Sequence, residues 1–232
     1  MFLEGYPTAF SFGILIYYAI ILLLGVAWLV IQLKSLVVLK NESKRNELLH
    51  LQNQVNPHFF FNMLNNLYGV VGKDVEKAKS LILKLSELMR YSIYEGDKDQ
   101  AKLCEEIMYL ENFIELNRIR YHKNVDVRFD LNIENEELRV MPLMFIVLVE
   151  NAFKHGVENL RENPFVHIKL SSFKGVIDFE ICNNFDKTVY QDNHGIGIKN
   201  LKRRLEIAYP KKHMLKIYQD ESIFRAILQI EK

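Results

Sequence analysis

The chain is short of the residues that staple or punctuate a fold: 2 cysteines, 5 prolines and 1 tryptophan in 232 residues. Cys104 and Cys182 stand far apart, and neither belongs to a C-x-x-C pair. That excludes a disulfide framework or zinc site as the organising device, and both read as reduced packing residues. An excess of one charge is also missing. The formal net charge is +1, which gives no electrostatic footprint for nucleic acid, so no direct nucleic-acid binding is expected. No G-x-x-x-x-G-K-[ST] occurs, so a nucleotide site here must be built without a Walker loop. Residues 7–33 carry no charge at all.

That last absence carries information. From Phe10 to Leu33 the residues are mostly Ile, Leu, Val, Phe, Tyr and Ala. About 20 apolar residues cross a bilayer core of about 30 Å. A signal peptide would want a basic start and a shorter apolar core, whereas Glu4 is the only side-chain charge before the run. Lys34, Lys40, Lys44 and Arg45 follow it, an asymmetry that puts the C-terminal side in the cytoplasm. Residues 34–54 read as a continuing helix or coiled coil, either a conduit for a signal or a spacer.

His58 then stands directly after Pro57 and before Phe59, Phe60 and Phe61. On a helix, Gln54, His58, Asn62, Asn65 and Gly69 make a polar stripe. Phe60, Leu64, Leu67 and Val71 make an apolar stripe beside it. A proline inside a helix costs about 3 kcal/mol, so Pro57 marks a kink or a helix start that presents the imidazole. A capped surface histidine is the plainer alternative. Asp74 can cap the next helix, to about Tyr94. In that helix Ala78, Leu81, Ile82, Leu85, Leu88, Met89 and Ser92 repeat at helical spacing. Two amphipathic helices with a short connection form a hairpin. Two hairpins from two chains cover each other's apolar faces as a four-helix bundle, hence an expected homodimer.

A third helix, about 103–121, carries Ile107, Leu110, Ile114 and Tyr121 on one face. From Val125 the period becomes that of strands. The order is a strand to Ile133, a helix over about 142–155, and strands over 166–172 and 176–181 joined at Lys174-Gly175. A polar loop over 183–194, a helix over 198–208 and strands over 214–218 and 224–230 complete it. The fold class is α+β: a transmembrane helix, a helical hairpin and a C-terminal sandwich of helices on a sheet. Within it, the apolar run Met141–Gly156 ends in Glu150, Asn151, Lys154 and His155. By spacing Asn151, Lys154 and His155 share a face. A buried polar group without a partner costs about 1–3 kcal/mol, which makes this helix end a site candidate.

Gln54, Pro57, His58, Phe59, Phe61, Asn62, Leu64 and Asn65 resemble the phosphoacceptor motif of the LytS-type sensor histidine kinases. The resemblance runs over about 45–232 and includes Tyr109–Tyr121. It implies that His58 is phosphorylated from ATP, with Asn62 orienting its ring, and that the phosphate passes to a response regulator of the LytTR DNA-binding type. Met141–Gly156 is similar to the N box of the Bergerat ATP-binding fold. By that likeness Asn151 holds Mg2+, and Lys154 and His155 touch phosphate. Gly195-Ile196-Gly197 resembles the second glycine box, with Gly195 and Gly197 at the phosphates and 184–194 as the lid. Two departures stand out. Val147 occupies the place where hydrolytic relatives put a glutamate. Asn183-Asn184-Phe185 replaces Asp-x-Gly, which leaves Asn183 to meet the adenine. Arg203 and Arg204 read as surface charges, with phosphate contact the alternative.

The expected organisation is a short extracytoplasmic segment 1–9 and a transmembrane helix 10–33. A helical linker with the dimerisation and phosphoacceptor region follows over 34–122, then the ATP-binding domain over 123–232. The expected place is the bacterial inner membrane, crossed once, with the C-terminal domain cytoplasmic. Relatives carry several membrane helices; a minimal anchor and a longer upstream segment both fit. The rival to an autokinase is a nucleotide-binding scaffold without kinase activity, and a third reading is an ATPase of the same fold.

Overall fold

A computed structural model describes residues 8–52, 57–96, 98–121, 124–158, 160, 162–186 and 196–232. The chain divides into two compact units, 1–47 and 48–232. In the first, α1 runs Thr8–Gln52. Its segment Phe12–Leu36, 25 residues with a mean hydropathy of 2.8, is long and apolar enough to cross a membrane. At 1.5 Å per residue it spans about 37 Å, and its side chains are exposed.

The second unit opens on α2 (Pro57–Val71). Pro57 is its first residue, where a missing N–H costs nothing, so the helix-start reading holds. The chain turns at 72–74, with Lys73 N and Asp74 N both donating to the Val70 carbonyl at 2.9 Å. Asp74 caps α3 (Val75–Tyr94) by accepting from Lys77 N. The buried face of α2 differs from the expected one. Phe59, Met63 and Leu67 are buried, whereas Leu64 and Val71 lie open. A third helix sets that difference, because α2 packs against α4 as well as α3. In α3, Ala78, Leu81, Leu85, Leu88 and Ser92 are buried, while Ile82 and Met89 stay exposed.

A short strand β1 (Ala101–Lys102) follows, then α4 (Leu103–Arg120). α4 is covered on two sides, with ten buried residues among its 18. Such a helix carries little amphipathic contrast, which is why one face alone was legible in its sequence. β2 (Asp126–Ile133) begins the sheet. β3 (Arg139–Val140) pairs antiparallel with β1, a contact the sequence did not announce. The expected helix over 142–155 starts later and changes form. α5 covers Ile146–Ala152, and a π turn continues it over Phe153–Val157. Leu143, at φ 55°, sits in the left-handed region and keeps the preceding turn out of the helix.

β4 (Phe165–Phe173) and β5 (Val176–Asn184) form the expected hairpin. Lys174 and Gly175 both take positive φ, 47° and 79°, as a two-residue hairpin turn of this hand requires. α6 (Ile196–Ala208), β6 (His213–Asp220) and β7 (Ile223–Glu231) complete the unit. The sheet order is β2-β4-β5-β7-β6. β2 and β4 run parallel and the other pairs antiparallel. Inward positions alternate along β5 as Ile177, Phe179, Ile181 and Asn183, all buried. That row of packing residues ends in an amide. The α+β class is as expected. Asn183 and Asn184 belong to β5 rather than to the loop assigned to them. Most of that loop lies outside the described residues.

Candidate functional site

The site is assembled where α5, β5 and α6 meet. Asn151 is half-buried in the last turn of α5. Lys154 is exposed and His155 half-buried in the π turn. The turn closes with Glu158 N donating to the Phe153 carbonyl at 3.0 Å. Such wide turns gather at functional sites. Gly156, also in the turn, is buried beneath them.

Gly156 brings the turn against Asn183. A methyl at Gly156 would lie 2.6 Å from Asn183 Nδ2 and 2.7 Å from the Asn184 carbonyl oxygen, distances no Cβ tolerates. Only glycine allows that approach. Asn183 is 1% exposed, and its Nδ2 donates to the Asn184 carbonyl at 3.0 Å. Its Oδ1 is buried without a hydrogen-bond partner. An orphaned acceptor costs about 1–3 kcal/mol, and buried polar groups are rarely left so. The amide oxygen is therefore a prepared acceptor for a donor that the described residues do not supply. Phe185, where the family pattern has glycine, is 3% exposed, and its N–H donates to the Ser222 carbonyl at 2.8 Å. The departure is absorbed by the core.

Gly197 lies in the first turn of α6, where a methyl would stand 3.5 Å from Val147 Cγ1 on α5. The glycine box and the Asn151 helix are thus neighbours. Gly195 lies outside the described residues. Val147 is half-buried and offers no carboxylate. Glu150 has its pKa pushed up to about 7 by burial, with Lys154 opposing. Burial holds the His155 ring below its ordinary value, and Lys154 adds to that. The ring is then neutral at pH 7.

His58 is the second residue of α2; its side chain lies outside the described residues. Asn62 is half-buried one turn on. An aromatic series links α2 to the site. Phe59 stacks on Phe113 of α4 at 4.7 Å between centroids. Phe113 meets Phe153 edge-on at 5.9 Å, and Phe153 stands two positions past Asn151.

Sequence reasoning missed a polar centre behind the site. Arg204 is 3% exposed, not a surface charge, whereas Arg203 is exposed and meets Glu206. Arg204 donates to the carbonyls of Pro142 at 2.5 Å and Leu143 at 3.2 Å. Glu106, 1% exposed, accepts from Leu143 N and from the Tyr91 hydroxyl, each at 2.7 Å. The Tyr209 hydroxyl accepts from Met141 N at 2.7 Å. Burial raises the Glu106 carboxyl and pushes Arg204 down to about 10. A signal was present. Glu106 falls on the stripe of Leu103, Leu110 and Phe113, and Arg204 falls one turn after Leu201. Each is a charge at an apolar position of its helix.

Residues 46–125 match the histidine kinase family. The chain is similar to LytS sensor proteins. It is 31% identical over 187 residues to Sensor protein LytS of Staphylococcus saprophyticus, covering 75% of this chain and 32% of that protein. It is 29% identical over 179 residues to Sensor protein LytS of Enterococcus faecalis, covering 72% of this chain and 30% of that protein. The chain thus spans about a third of the length of these relatives. Among solved structures, the histidine kinase domain of the Erythrobacter litoralis EL346 blue-light activated histidine kinase shares 12% identity. That match covers 83% of this chain and 94% of that one, with a TM-score of 0.44.

Proposed function

We propose that the chain is the kinase part of a membrane-anchored sensor of a two-component system, phosphorylating His58 from ATP. The observation that carries this reading is the orphaned Oδ1 of Asn183, buried next to Gly156 in the π turn that follows Asn151. It accepts the adenine amine. Asn151 would hold Mg2+ through its amide oxygen, a hard ligand of the kind that ion prefers. Bound there, the metal would spread charge on the phosphates. Lys154, His155, Gly197 and Gly195 are the phosphate-side residues of the same reading.

In the transfer a neutral ring nitrogen of His58 bonds to the γ-phosphorus, the bond to the β–γ bridging oxygen breaks, and ADP leaves. The ring loses its proton to solvent or a nearby base. An unperturbed imidazole, at about 6.5, is largely neutral at pH 7, so strong activation is unnecessary. Asn62 orients the ring. Val147 in place of a carboxylate leaves water unactivated, which favours transfer over hydrolysis. Phosphohistidine then supplies a response-regulator aspartate, and the resemblance points to a LytTR-type regulator.

Phe61, Leu64, Tyr68, Ile82 and Leu83 leave apolar surface on α2 and α3 exposed. A second copy covers it as a four-helix bundle. The 25-residue apolar segment of α1 crosses the cytoplasmic membrane once, with Lys34 and Lys40 on the inner side.

A specific observation favours one rival, a nucleotide-binding scaffold. Asn183 lacks the charge of the usual aspartate, and its Nδ2 is already engaged with Asn184. Incubating the full chain in lipid nanodiscs with γ-labelled ATP separates the two. Acid-labile label that vanishes in His58→Gln supports the kinase. Nucleotide binding without label supports the scaffold, and steady phosphate release that survives His58→Gln supports an ATPase.

A further inference from the structure

The turn ahead of α5 is gripped from two helices, α4 and α6. Arg204 of α6 donates to the carbonyls of Pro142 and Leu143. Glu106 of α4 accepts from Leu143 N. Tyr209, just past α6, takes Met141 N. Leu143 is held at φ 55°, a conformation that a leucine adopts only when its surroundings enforce it. The grip therefore fixes the entry of the helix that carries Asn151 at its other end. It also joins that helix to α6, whose first turn holds Gly197. The two elements meant to cradle phosphate are fastened to one another at a distance from the ligand.

One bond in this centre comes from the helical hairpin. Tyr91 belongs to α3, the second helix of the hairpin, and its hydroxyl donates to the same Glu106 oxygen that Leu143 N donates to. A second hairpin bond, between Ser92 Oγ and the Tyr109 hydroxyl at 2.9 Å, lies one residue away but touches α4 alone. Resting on the nucleotide reading, we propose that Arg204 and Glu106 are positioning residues for the nucleotide helix, and that Tyr91 ties them to the hairpin. The packing of α3 then sets nucleotide affinity through the peptide of Pro142 and Leu143. A buried carboxylate that loses one of its donors redistributes its remaining bonds, and Leu143 is the residue they hold.

The neighbouring bond supplies the control. Tyr91→Phe and Ser92→Ala each remove one hydrogen bond between α3 and α4, but only the first touches Glu106. The full chain in nanodiscs is titrated with a fluorescent ATP analogue, with melting temperatures recorded alongside. Tyr91→Phe is expected to weaken binding about three- to tenfold, in the range of couplings carried through packed networks, while Ser92→Ala binds like the wild type. Arg204→Lys keeps the charge but cannot bridge two carbonyls as a guanidinium does, and is expected to weaken binding at least as much. The proposal is overturned if Tyr91→Phe and Ser92→Ala bind alike, or if a folded Arg204→Lys chain binds like the wild type. A wild-type chain that binds no analogue overturns the nucleotide reading itself, a result distinct from equal binding by wild type and variants.

Discussion

Replacing Asn183 with leucine tests the adenine assignment by separating stability from binding. The side chain is 1% exposed, so the substitution exchanges one buried group for another of similar volume. In the free protein two effects oppose each other. The variant loses the Nδ2 bond to the Asn184 carbonyl, about 1 kcal/mol. It also removes an orphaned acceptor, which relieves about 1–3 kcal/mol. The melting temperature of the free chain is therefore expected to hold or rise. With ATP bound the variant leaves the adenine amine unpaired against an apolar wall, at about 1–3 kcal/mol, or about a 5- to 150-fold loss of affinity. The assay is a titration of the full chain with ATP and with purine riboside triphosphate, which lacks the amine. The wild type is expected to prefer ATP by that margin, and the variant to bind the two alike. If Asn183→Leu keeps the full preference for ATP, Oδ1 does not read adenine and the reasoning fails.

Two further outcomes follow from the same geometry. Gly156→Ala puts a methyl 2.6 Å from Asn183 Nδ2 and 2.7 Å from the Asn184 carbonyl oxygen. Because one neighbour is backbone, the end of β5 must move, at about 1–3 kcal/mol for overpacking, and calorimetry should show nucleotide affinity falling at least about tenfold. Glu150, pushed up from 4.5 to about 7 by burial, binds its proton more tightly in the folded chain than in the unfolded one. Its contribution to stability is therefore complete below pH 4.5, declines from there, and is lost as pH rises past 7. Glu150→Gln should flatten that slope, raising stability at pH 8 by on the order of 2–3 kcal/mol and leaving it unchanged near pH 4.5. Denaturant melts of the nucleotide-free chain at the two pH values check it.

Local signals in the sequence were followed faithfully by the fold. Asp74, the Lys174-Gly175 turn and the alternation along β4, β5 and β7 each act within a few residues, and each element stands where its pattern put it. The buried face of α2 was read one residue off. Phe59 is selected by Phe113 on α4, a partner 54 positions away that helical periodicity alone cannot name. The late start of α5 has the same origin. Periodicity in Met141–His155 favours a helix throughout, but the bonds of Glu106 and Arg204 to Leu143, and of Tyr209 to Met141, hold this turn out of it. In the candidate site, Asn151, Lys154 and His155 were legible as polar residues ending an apolar run, and Asn183 through the family resemblance. The role of Gly156 was not, since it depends on how closely two non-adjacent backbones approach. Arg204 was misread because a helix start rich in Lys and Arg resembles a solvated face, and only packing distinguishes it from Arg203.

The most direct test of the central claim is to find the residue that carries the phosphate. The full chain in nanodiscs is incubated with Mg-ATP, digested without acid exposure, and mapped by mass spectrometry. One phosphate on His58, lost when Asn151→Ala removes the proposed metal ligand, is the predicted result. Phosphate on another residue, or none on a chain shown to bind ATP, would contradict the account.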